Sequence, residues 1–238
     1  MLRSIKQLYG NKLGASDGEI GHVKNFYFDV QNWAVRYLVA ETGTWLTSRQ
    51  VLLSPHTLGN ADPSSKVLSV NLTRKQIEDS PSLEWHKPVS RQYEEEYYRY
   101  YGWPRYWQGD GLWGMNDFPI LKRPARHFPS KPITTIDSQH ERSDTHLRST
   151  QAVKTCHIQT GDGIIGQVCD FMMDARSWAI SHLVIKTTDH RLSAREIKIP
   201  TGKVDRINYE ESTMFINLTG KVVGQRPAHR LTPAVAAD

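Results

Sequence analysis

Residues 17–39, DGEIGHVKNFYFDVQNWAVRYLV, return as residues 162–184, DGIIGQVCDFMMDARSWAISHLV. The offset of 145 also carries Leu2-Arg3-Ser4 onto Leu147-Arg148-Ser149. One extra residue near position 189 shifts the offset to 146, after which Arg49 meets Arg195, Asn71-Leu72-Thr73 meets Asn217-Leu218-Thr219, and Pro81 meets Pro227. Chance does not keep register over about 80 residues with a single slip. A solenoid would use shorter units in more copies, so the pattern predicts two self-contained domains.

Within each copy the local signals are those of β structure. Asp17-Gly18 and Asp162-Gly163 are favoured tight-turn pairs, because a two-residue hairpin asks for positive φ at both central positions. The first divides a strand over 5–15 from one over 19–29, and Gln31-Asn32 precedes a strand over 33–41. Further strands fit 49–53 and 67–72. Val23 has the opposite parity to Ile20, Phe26 and Phe28, which predicts a bulge or strong twist near Gly21. Thr73 to Gln76 reads as a capping box opening a short helix that ends by Pro81; Thr219 to Val222 lacks the second half of that box. The recurring Asp17, Gly18, Gly21, Asp29 and Trp33, with Asp162, Gly163, Gly166, Asp174 and Trp178, read first as turn and core residues that two like-folded copies both need.

The repeated motif, Asp-Gly-x-x-Gly-x-Val followed by an acidic residue and Trp-Ala-(Val/Ile)-x-x-Leu-Val, resembles that of the PRC-barrel family. Residues 49–54 and 195–200 fit the family's later strand, and the two copies cover about two-thirds of the chain. The resemblance implies a mainly β fold of two small antiparallel PRC-type barrels in tandem, over 1–82 and 146–227, with a tail over 228–238. The family includes the cytoplasmic domain of the photosynthetic reaction-centre H subunit and a domain of a ribosome-maturation factor. In both the module is a docking surface, and no shared catalytic residue carries over.

Residues 83–145 belong to neither copy and form an aromatic, then polar, linker expected to be largely irregular or partly helical. Its stretch 91–107, RQYEEEYYRYYGWPRYW, is the most aromatic in the chain. Arg91, Tyr97, Tyr98, Tyr100, Trp103, Arg105 and Trp107 are the candidate partner surface, since Tyr, Trp and Arg dominate interface hot spots. The same interleaving of rings with arginines could stack on single-stranded bases or sit at a membrane interface. Glu94, Glu95 and Glu96 would repel phosphates and disfavour nucleic acid. Alternatively, the rings pack across the barrels and tie them together. His140 and Asp144 would share a helix face, yet 137–146 has no apolar side to hold a helix, so a solvated linker is expected there and no metal.

The chain of 238 residues is mildly basic, with a net charge of +5, which permits anionic partners without demanding them. No window is apolar enough for a membrane helix, and no signal sequence is evident, so a cytoplasmic protein is expected, peripheral to the membrane where its partner is. Cys156 and Cys169 would face each other across a two-residue Asp162-Gly163 hairpin, but a reducing cytoplasm favours two free thiols. No phosphate loop, Gly-x-Ser-x-Gly elbow or His-Glu-x-x-His appears. No cofactor and no enzyme activity are expected. The expectation is a non-catalytic adaptor whose halves pack with approximate two-fold symmetry, docking to a protein, with a membrane-associated complex favoured. The alternatives are a ribosome- or RNA-associated assembly factor, and an enzyme or small-ligand binder with a pocket between the barrels.

Overall fold

The computed structural model describes residues 1–43, 46, 49–59, 66–81, 89–120, 146–187 and 196–218. His140 and Asp144, the polar end of the linker and the tail over 228–238 lie outside them. The fold is mainly β. The first copy supplies β1 (Leu2–Ser4), β2 (Lys12–Ala15), β3 (Gly18–Asp29), β4 (Ala34–Thr42), β5 (Gln50–Leu53), β6 (Val67–Ser69) and helix α1 (Arg74–Glu78). Helix α2 (Arg91–Tyr101) follows. The second copy supplies β7 (Leu147–Ser149), α3 (Thr150–Val153), β8 (His157–Thr160), β9 (Gly163–Asp174), β10 (Ile180–Thr187), β11 (Glu196–Pro200), β12 (Val204–Asn208) and β13 (Thr213–Ile216).

One sheet runs β5-β4-β3-β2-β6 and the other β11-β10-β9-β8-β13-β12. Both are mixed rather than wholly antiparallel, because β2 pairs with β6 and β8 with β13 in parallel. Among the described residues neither sheet closes on itself. Pairings in the second copy reproduce those of the first: Leu38 opposes Leu53 and Leu183 opposes Ile199, while Lys12 opposes Val67 and His157 opposes Thr213. The offset is therefore 145 up to β10 and 146 from β11 on, which puts the extra residue between those two strands.

The Asp-Gly hairpins close one residue earlier than the sequence suggests. Ala15 pairs with Gly18 and Thr160 with Gly163, so Ser16-Asp17 and Gly161-Asp162 are the central residues. Neither aspartate adopts positive φ. In the first copy the turn is tied to the start of α1 and the chain before it: the Ser16 N–H donates to Leu72 O, and Asp17 Oδ1 accepts the Arg74 N–H. The expected bulge is present. Leu13 opposes Gly21 but Gly14 opposes Glu19, leaving Ile20 as the extra residue, and Ile165 repeats this in the second copy. The bulge shifts the register so that Cys156 O accepts the N–H of Val168, and Cys169 is not its cross-strand partner. Cys169 Sγ instead donates to Val184 O at 3.4 Å, and neither cysteine is in a disulfide.

Trp33 and Trp178 do not begin the strands expected of them. Both sit in the preceding turn with left-handed backbone, φ 51° and 61°. Asp29 and Asp174 organise those turns, accepting the N–H groups of Gln31 and Asn32 and of Arg176 and Ser177 respectively. The strand expected over 5–15 is interrupted by a 3-10 turn at Lys6–Leu8, which frees β1 to pair elsewhere.

The chain forms two compact units. One comprises Met1–Ala152 with Met172–Ile180, the other Val153–Phe171 with Ser181–Asp238. The first unit holds a reciprocal strand exchange. Leu2, Arg3 and Ser4 pair with Asp174, Met173 and Met172, while Leu147, Arg148 and Ser149 pair with Asp29, Phe28 and Tyr27. Replacing every residue by its counterpart 145 positions away in the other copy turns either set into the other. The Ala34–Ala179 bridge maps onto itself in the same way, flanked by Val35 N–H to Trp178 O and Ile180 N–H to Trp33 O. The unit's core is built from Leu13, Ile20, Phe26, Phe28, Val35 and Leu38, all fully buried. In the second unit Ile158, Leu183, Ile185 and Met214 are likewise fully buried.

Candidate functional site

Helix α2 begins at Ser90, whose Oγ accepts the Tyr93 N–H as an N-cap, 3.2 Å away. Its buried positions are Glu94, Tyr97, Tyr98 and Tyr101, at i, i+3, i+4 and i+7, so one face is inward and that face carries a carboxylate. Tyr97 Oη donates to Leu52 O at 3.0 Å and accepts the Ser54 N–H at 3.1 Å, fixing the helix to β5. Tyr93 and Tyr100 donate to Pro81 O and Gln76 O, fixing it to the region of α1. Tyr101 stacks on Trp103 with ring centres 4.3 Å apart. Because α2 lies over it, β4 is buried on both faces through Ala40.

Glu94 is completely buried and accepts four donors. Oε1 receives the hydroxyls of Tyr37 at 2.9 Å and Tyr106 at 2.8 Å. Oε2 receives Arg91 Nη1 at 3.0 Å and lies 2.7 Å from His146 Nε2. A carboxylate has about four acceptor sites, so all are engaged. Nearby, Arg36, 1% exposed, donates to Asp29 Oδ2 at 3.1 Å and to Leu112 O at 2.6 Å. Its guanidinium lies 3.9 Å over the Tyr106 ring. Burial would lift the Asp29 carboxyl, but Asn32, Arg36 and the Gln31 N–H outweigh it and hold the group below its ordinary value. Burial first, and the Glu94 charge second, pushes the hydroxyls of Tyr37 and Tyr106 far above theirs. His56 Nδ1 lies 2.9 Å from Ile120 O, with its ring stacked on Trp103.

This cluster is peculiar to the first copy. Arg36 and Tyr37 correspond to Ser181 and His182, both half-buried where the first-copy residues are fully buried. Chemically, the acceptor sites of Glu94 are taken up within the chain by Tyr37, Tyr106 and His146 and by the Arg91 ion pair. Among the described residues no group of three or more His, Cys, Asp or Glu is arranged to hold a metal.

No protein-family profile and no curated protein sequence matches this chain.

Of the candidate partner surface, Tyr97, Tyr98 and Trp103 are buried within the first unit, and Arg91, Tyr100, Arg105 and Trp107 are half-buried. Arg91 is held between Glu94 and the Trp107 ring, 4.4 Å away. The recurring aspartates, glycines and tryptophans occupy the turns and bulges described above. Two features escaped the sequence reading. A tight loop over 109–116 crosses its own backbone so closely that a Cβ at Gly109, Gly111 or Gly114 would lie under 3 Å from main-chain atoms. It is pinned by Trp113 Nε1 donating to Ser177 O at 2.7 Å, and it presents Met115, 84% exposed, with Phe118 and Ile120 exposed just beyond. The spacing of those three glycines around Trp113 was the available signal. The second feature is a cleft of about 520 Å³, bordered by Leu8, Leu58, Leu68, Met173, Trp178 and Phe118, with Arg3 and Arg176 also on its wall. Its walls include β1 and the end of β9 with the Asp174 turn, which the strand exchange brings together.

Proposed function

We propose that this chain is a non-catalytic docking protein built from two PRC-type modules, with a protein of a membrane-associated complex as its partner. The saturation of Glu94 carries the reading. The most elaborate polar constellation among the described residues is used up in fastening α2 and the aromatic segment to β4. What that fastening leaves outside is a braced loop with an exposed apolar tip at Met115, the form of a small contact surface rather than a reaction centre. The repeated motif and its repeated pairings support two copies of one module, and the PRC-barrel resemblance supports closure of each into a barrel. No helix among the described residues is long and apolar enough to cross a membrane, so attachment would run through the partner.

The test is co-sedimentation of the chain with membranes of its host cell. Binding should disappear after protease treatment of the membranes, and Met115→Asp should weaken it at least tenfold with an unchanged circular dichroism spectrum. Equal binding to protein-free lipid vesicles, or full binding by Met115→Asp, would overturn the reading.

A further inference from the structure

The cleft has a chemistry that docking through Met115 does not use. Its wall is apolar over Leu8, Leu58, Leu68, Met173 and Trp178, and the charged side chains on it are two arginines, Arg3 and Arg176. No carboxylate is among the described residues that line it. The nearest acid in sequence, Asp174, is turned to the Met1 amino group at 2.9 Å and to the N–H groups of its own turn. Arg176 is exposed, with its guanidinium 4.9 Å from the centre of the Phe118 ring, which also lines the cleft. Arg3, which has interactions of its own within the chain, lies on β1.

We infer that this cleft binds a free amphipathic anion, an unbranched fatty carboxylate, with its tail against Leu58, Leu68, Met173 and Trp178 and its head at Arg176 and Arg3. Three arguments combine. Ligand pockets are mostly apolar with a few placed polar groups and span roughly 300–1,000 Å³, which includes this volume. Arginine offers a planar fork that matches a carboxylate in two parallel hydrogen bonds. A wall carrying positive charge and no lining acid rejects a cationic amphiphile by like charge and takes an uncharged one without the head-group bonds. Met115, which carries the docking reading, does not line the cleft, and Arg176 does, so substitutions at the two positions let either reading stand if the other fails.

Titration calorimetry of the full chain with dodecanoate, below its micelle-forming concentration, tests the inference. One site per chain is expected, with affinity rising several-fold from octanoate to dodecanoate. Dodecanol and dodecyltrimethylammonium should bind at least tenfold more weakly. Arg176→Gln, at an exposed position, should cut dodecanoate affinity about tenfold while leaving dodecanol unaffected and the melting temperature within error. Equal affinity for dodecanoate and dodecanol, or no effect of Arg176→Gln, would overturn it. So would binding to vesicles containing phosphatidylglycerol without binding of free dodecanoate, since that is attraction to a charged surface rather than filling of a cleft.

Discussion

At the scale of single residues, the duplicated glycines show why some positions cannot vary. A Cβ at Gly21 would lie 2.0 Å from Glu41 O, and at Gly166 2.3 Å from Lys186 O. Both sit beside the bulge, where the neighbouring strand approaches most closely. Alanine at either position should cost roughly 1–3 kcal/mol as backbone is forced apart, with Gly21 the worse because its φ of 147° is also unfavourable to a side chain. Gly161 has nothing within 4 Å of its Cβ position; Gly161→Ala should stay within about 0.5 kcal/mol. Urea denaturation of the three variants measures the contrast, and equal effects at all three sites would refute the steric account.

Among the elements, α2 depends on one buried charge. Glu94→Gln turns an amide N–H₂ toward donors on one side or the other, and should cost about 3 kcal/mol, as breaking a buried ion pair does. Glu95→Gln and Glu96→Gln, at half-buried positions, should each stay within about 0.5 kcal/mol. The urea midpoints of the three variants check this. The three glutamates look alike in sequence, and reading them together as a phosphate-repelling run hid the one that matters. The legible sign was the Glu94, Tyr97, Tyr98, Tyr101 spacing, which marks a single helix face. Other elements were open to reading: the bulge by Gly21 follows from strand parity, and the Thr73–Gln76 capping box is formed as written. Turn position, parallel pairing and the exchange of β1 and β7 were not. Three-residue strands carry no periodicity, and which edge they join is decided by distant backbone. The cleft inherits that opacity, because its walls meet through the exchange.

Across the whole molecule, the buried tyrosines make stability steeply dependent on alkaline pH. Burial, named first among the causes in each case, raises Tyr37, Tyr93, Tyr97, Tyr98, Tyr101 and Tyr106 far above the ordinary value of 10.0, and raises Tyr100 to about 12. The unfolded chain releases these protons above pH 10 while the folded chain keeps them. The unfolded state then binds fewer protons, and stability falls as pH rises, by up to about 1.4 kcal/mol per pH unit for each of the six deeply buried tyrosines and by less for the partly exposed Tyr100. Alkaline titration should therefore show tyrosinate absorbance appearing in one cooperative step together with loss of β-sheet dichroism. Smooth independent titration of all ten tyrosines near pH 10 would contradict it. The strand exchange also has a consequence in time. The residues that pair with Leu2–Ser4 are Met172–Asp174, translated roughly 10–30 s later at about 5–20 residues per second. During that interval the nascent first copy carries two bare edges, one on β1 and one at the end of β3, whose proper complements are not yet made. On a crowded polysome the β1 edge of one nascent chain fits the β3 edge of its neighbour, so the step most exposed to error in this protein's life is the wait for its own second half.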